Sequence, residues 1–174
     1  IVISSLSNAK DELGAEYDYV YVNQPELISE SDWEFLITRA NGRRGHAPYP
    51  LLFGDPNPEH ERHWIKVGGY TIDEDETLVN ATGQSYLKGE YYRHNGKFYT
   101  TDDDLEIKDA KWRLIKSTYR DNPTIWDDKL GCFTANGEEM IGRLEASLSP
   151  VMARRLLDAE WCSFEGLVFG EVLD

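Results

Sequence analysis

The chain is poor in cysteine, poor in positive charge and without a long apolar run. Its only two cysteines, Cys132 and Cys162, stand far apart in 174 residues, so there is no paired metal-ligand spacing. That argues against a disulfide framework or a zinc ribbon and makes reduced thiols in a cytoplasm the expectation. No stretch reaches the roughly 18 consecutive apolar residues a membrane helix needs, and the first residues lack a basic region leading into an apolar run. Nothing in the sequence directs it to a membrane. The sequence also has no glycine-rich phosphate loop closing on Lys-Ser or Lys-Thr. Eighteen Lys and Arg against 32 Asp and Glu give a formal charge of −14, which repels a polyanion unless the basic residues cluster on one surface.

What is present is a globular composition, 40% hydrophobic and 12% aromatic, enough for one sizeable core. The chain opens inside the β-branched run Ile1-Val2-Ile3 without an initiator methionine, and reads as cut from something longer. Asn80-Ala81-Thr82 fits a glycosylation pattern, but without a secretory signal it reads as a polar turn.

Ile1 to Leu6 and Tyr17 to Val22 read as strands, the second apolar or aromatic at nearly every position, as in a parallel sheet covered on both faces. After Asn23-Gln24-Pro25, Ser29 with Asp32 three residues on resembles a capping box. Trp33, Leu36, Ile37 and Ala40 then share a helical face that Asn41-Gly42 ends. Arg43 to Pro50 is a basic loop, Leu51 to Phe53 a short buried strand, and Gly54-Asp55-Pro56-Asn57-Pro58 a rigid turn. From Gly68 to about Asp109 short alternating segments flank His94-Asn95-Gly96, a type I′ hairpin signal, and suggest a β-rich insertion. Trp112 to Ser117 resumes a core strand. Helices follow over Glu138 to Ala146, capped by Asn136, and from Ser149-Pro150 through Glu160.

Tyr17 to Leu27 with Asp32-Trp33-Glu34 and Thr38 to Arg43 is similar to the Walker B strand and following helix of phage terminase large subunits, and three further words follow in that family's order. Gly54 to Pro58 with His63-Trp64 is similar to its segment coupling ATP state to DNA movement. Ser117-Thr118-Tyr119-Arg120-Asp121-Asn122-Pro123 resembles its late ATPase strand and turn. Arg154-Arg155-Leu156-Leu157, Glu160-Trp161 and Glu165 to Phe169 resemble the passage into its nuclease domain. Residues 68 to 109 are not covered by the resemblance.

The resemblance implies an α/β, P-loop NTPase-like fold with a mostly parallel sheet. Residues 17 to 22, 51 to 53 and 112 to 117, each short, apolar and followed by turn residues, are expected as its central strands. The alternation and the Asn95-Gly96 turn within 68-109 lead us to expect a small antiparallel β insertion projecting from that sheet. Around that insertion the resemblance divides the chain into ATPase core at 1-67, core end at 110-148, and linker helix with the start of a nuclease domain at 149-174. The implied activity is that of a DNA-packaging motor coupling ATP hydrolysis to translocation into a procapsid in the host cytoplasm. ATP and Mg2+ are the implied cofactors. Double-stranded DNA, the portal protein, the terminase small subunit and a homo-oligomeric ring are the implied partners.

At the tip of a Walker B strand such an enzyme needs a magnesium-binding acid and a carboxylate that orients water. Here those positions are Asn23, the implied magnesium and nucleotide ligand, and Gln24, the implied catalytic position. Amides bring no charge and no effective base, so a non-hydrolysing structural or DNA-docking domain stands as the alternative. Glu26 is the nearest carboxylate that could substitute, or else an exposed helix-lead residue, and Asp18 lies at the far end of the strand. Asp55 and Asn57 follow a strand, at the edge where open α/β sheets bind ligands, and suit either phosphate sensing or plain Asx turns. His60 and His63 lack a third metal ligand. Arg39, Arg43 and Arg44 form the basic cluster of note, suited to phosphate or to solvent.

Overall fold

A computed structural model describes residues 16–42 and 49–163. The strand expected over Ile1 to Leu6, the basic residues Arg43 and Arg44, and the Glu165 to Phe169 word lie outside the described residues. The chain divides into two compact units, Ile1–Asn57 and Pro58–Asp174.

The first unit is a β-α-β element. Strand β1 (Tyr19–Asn23) runs into a 3-10 turn (Pro25–Leu27), helix α1 (Glu30–Arg39) and strand β2 (Leu51–Asp55). Helix α1 starts where Ser29 accepts from the Asp32 amide and the Asp32 side chain answers to the Ser29 amide, a complete capping box. The helix buries Trp33 and Leu36, with Ala40 beyond its end. Strands β1 and β2 pair in parallel, Tyr19 beside Leu51, Tyr21 beside Phe53 and Asn23 beside Asp55. With a two-residue period, Val22 is buried, whereas Tyr19, Tyr21, Leu51 and Phe53 of the alternate positions are 42 to 54% exposed. The expectation of a strand buried on both faces is therefore wrong.

The second unit has its own core. Helix α2 (Trp64–Val67) leads into β3 (Gly69–Ile72), β4 (Leu78–Val79) and β5 (Ser85–Tyr86). A hairpin of β6 (Tyr91–His94) and β7 (Lys97–Thr100) follows, then β8 (Trp112–Arg113). The sheet order is β5-β4-β3-β8, antiparallel except for the β3–β8 pair. The hairpin turns at Asn95 (φ 48°) and Gly96 (φ 82°), the two left-handed residues a type I′ turn demands. Tyr70, Leu78, Phe98, Ile107 and Ala110 close the core around these strands. A second cluster of Ile125, Ile141 and Leu157 joins the short β9 (Trp126–Asp127) and β10 (Cys132–Phe133) pair to helices α3 (Ala135–Ser147) and α4 (Pro150–Leu156). Thr134, not Asn136, caps α3, and α4 stops short of Glu160.

The mostly parallel, P-loop NTPase-like sheet is overturned. Among the described residues four small sheets stand in its place, of which one two-stranded sheet is parallel and one four-stranded sheet is mixed. Trp112 and Arg113 pair with Gly69 and Tyr70 rather than with β1 or β2, and Ile115, expected in a central strand, is 82% exposed. The strand ends at Arg113, Leu114 still donates its amide to the Tyr70 carbonyl at 2.7 Å, and a capped 3-10 turn follows at Tyr119–Asp121. The alternating segment is not an antiparallel insertion alone: β5, β4 and β3 share a mixed sheet with β8, the β6–β7 hairpin is a separate sheet, and residues of both pack in one core.

Candidate functional site

The carboxyl edge of the β1–β2 pair gathers the residues singled out above. β1 ends at Asn23, whose partner across the ladder is Asp55, both exposed and on one face. Gln24 then takes φ 52° and ψ 58°, the left-handed region that costs a non-glycine residue roughly 1–2 kcal/mol. The neighbours that hold it there are identifiable. Pro25 is buried at the start of the 3-10 turn and packs over Gly54, where an added Cβ would stand 2.5 Å from the Val22 carbonyl and 3.0 Å from the proline ring. The Gln24 amide points at the Asp55 carboxylate, 3.4 Å away.

Glu26 sits in the turn, half-buried, and its Oε1 accepts a hydrogen bond from Asn57 Nδ2 at 2.9 Å. Asp55 also lies beside the Tyr21 phenol and, chiefly through a hydrogen bond, raises its pKa above the ordinary 10.0. Tyr21 in turn packs on Phe53, ring centres 5.3 Å apart. Two cross-links, Gln24 to Asp55 and Glu26 to Asn57, thus tie the exit of β1 to the exit of β2. The edge offers one half-buried carboxylate, Glu26, one exposed carboxylate, Asp55, and the three side-chain amides of Asn23, Gln24 and Asn57.

The other candidates have structural employment. His63 caps α2 by accepting the Ile65 amide at 3.3 Å, and His60 accepts the Arg62 amide at 3.2 Å. Their rings meet edge to face at 5.7 Å. Among the described residues no group of three or more His, Cys, Asp or Glu side chains is disposed to hold a metal ion. The guanidinium of Arg39 lies over the Phe35 ring at 5.2 Å. Tyr92 and Tyr99 are a stacked cross-strand pair, and Phe98 is core. Glu76 pairs with Lys88 at 2.8 Å. No helix among the described residues is long and apolar enough to cross a membrane.

Arg155 was not legible in the sequence. It is 5% exposed and donates to the Cys162 carbonyl from Nε (2.9 Å) and Nη2 (2.6 Å), and to Glu59 from Nη1 (3.0 Å). Its carboxylate partner is 96 positions away, so no local pattern announces it. Comparison with protein-family models, curated proteins and solved structures gives no match.

Proposed function

We propose that this chain is part of the large subunit of a phage DNA-packaging terminase, with the carboxyl edge of the β1–β2 pair facing the nucleotide. One observation carries the reading. The residues marked by the resemblance, Asn23, Gln24, Glu26, Asp55 and Asn57, come from two distant stretches yet meet at one edge, joined by the Gln24–Asp55 and Glu26–Asn57 contacts. That is the edge at which parallel α/β elements bind ligands.

In this reading Glu26 takes the role that the amide of Gln24 cannot, accepting a proton from the attacking water. Asn23 and, beside it, the Asp55 carboxylate would hold a magnesium ion, whose chemistry there would be to offset the charge of the phosphates. Such an ion is ordinarily held by one or two carboxylates plus water and phosphate oxygens, so this sparse donor set fits it. The lysine and backbone amides that cradle the phosphates must come from another segment or subunit. Double-stranded DNA, the portal protein, the small subunit, a homo-oligomeric ring and the host cytoplasm belong to the same proposal.

The amides at positions 23 and 24 favour one second reading, a docking domain that does not hydrolyse ATP. Steady-state phosphate release by the full-length packaging protein separates the two. The motor reading expects turnover in the wild type and its loss, by roughly 100-fold or more, in Glu26→Gln. The docking reading expects no turnover in either, and turnover appearing only when Asn23→Asp and Gln24→Glu are combined.

A further inference from the structure

We infer that Asn57 is a positioning residue for the Glu26 carboxylate, so that the turn after β2 sets the orientation of the base on the turn after β1. This rests on the nucleotide-facing reading of that edge. Asn57 Nδ2 donates to Glu26 Oε1 at 2.9 Å in a half-buried setting, where a hydrogen bond fixes direction better than in water. Asn57 stands between Pro56 and Pro58. Proline fixes its own φ and confines the residue before it to extended backbone, which makes Asn57 a stiff mount for its amide. The contact from the Gln24 amide to Asp55, two positions earlier on both sides, prevents the turns from sliding past each other.

The chemistry of the donor also matters. A neutral amide orients the carboxylate by a directed N–H donor without placing a second charge beside it. In the step served, the water oxygen forms a bond to the terminal phosphorus of a nucleoside triphosphate. Its proton passes to Glu26, and the bond from that phosphorus to the bridging oxygen breaks, its electron pair leaving on the diphosphate.

The test measures phosphate release by the full-length packaging protein against ATP concentration, with a thermal melt for every variant. Asn57→Ala should lower kcat by about 10- to 100-fold with KM changed by less than about threefold, because the group acts only as water attacks the terminal phosphorus. Asn57→Gln, keeping the amide, should recover part of that loss. Unchanged kcat in Asn57→Ala, no recovery in Asn57→Gln, or a lowered melt that accounts for all lost turnover overturns the inference and leaves a structural staple. A wild-type protein without ATP turnover defeats the functional reading itself, whatever the variants do.

Discussion

Replacing Arg155 by methionine should destabilise the second unit by about 2 kcal/mol, the balance of three effects. The Cys162 carbonyl belongs to a residue only 7% exposed and accepts from both Nε and Nη2 of Arg155. Losing both donors leaves it unsatisfied, at about 1–3 kcal/mol. Glu59 contributes less, because its side chain is 41% exposed and recovers water when the guanidinium goes, so its share is under about 1 kcal/mol. Against both stands the desolvation of a buried guanidinium, which methionine does not carry while keeping most of the volume. Urea denaturation followed by tryptophan fluorescence and circular dichroism reads the difference as a fall in midpoint at unchanged slope. Glu59→Gln, which preserves an acceptor, should cost under about 1 kcal/mol. A Met variant within about 0.5 kcal/mol of wild type, or a Gln variant more damaged than the Met variant, would refute this reasoning.

Gly54→Ala should loosen the first unit by about 1–3 kcal/mol, since its Cβ would press on the Val22 carbonyl at 2.5 Å and on Pro25. Faster amide exchange at Gln24 and Glu26 would register it, and unchanged exchange there would count against it. Two glycines of α3 should respond oppositely to alanine. Gly142, with nothing within 4 Å, should gain about 0.8–1 kcal/mol of helix propensity, whereas at Gly137 the new methyl runs into the Ile125 carbonyl and should destabilise. Thermal melts of the two variants shifting in the same direction would contradict this. Stability should also decline in alkali. Lys97 titrates above its ordinary 10.5 because of its hydrogen bond and charge pairing with Glu106, and Tyr91 above 10.0 chiefly through burial, then Glu76 and Asp73. Both groups hold protons more tightly folded than unfolded, so their contribution is complete below the unfolded values and is lost as pH rises through the folded ones. A melting temperature that climbs above pH 10.5 would be inconsistent with the Lys97 and Tyr91 shifts.

Elements coded by neighbours in the chain are legible in the sequence itself. The Ser29–Asp32 box starts α1, Asn95-Gly96 turns the β6–β7 hairpin, and the apolar runs at Tyr19 and Leu51 are strands, because capping, left-handed turns and extended propensity all act within about four residues. The candidate site is legible only as residue types at strand ends: Asn23, Gln24, Glu26, Asp55 and Asn57 can be named, but not the bond between Glu26 and Asn57, 31 positions apart. Strand partnership is misjudged for the same reason. An apolar dipeptide such as Trp112 followed by the stem of Arg113 carries no label for its neighbour, and here the close approach allowed by Gly68 and Gly69 draws it to β3. Which face of β1 and β2 is covered, and the burial of Arg155 between Glu59 and Cys162, likewise follow from contacts across long stretches of chain. Local sequence determined which elements form; which of them meet was decided by burial and hydrogen-bond satisfaction over the whole tertiary structure, where no short-range pattern reaches.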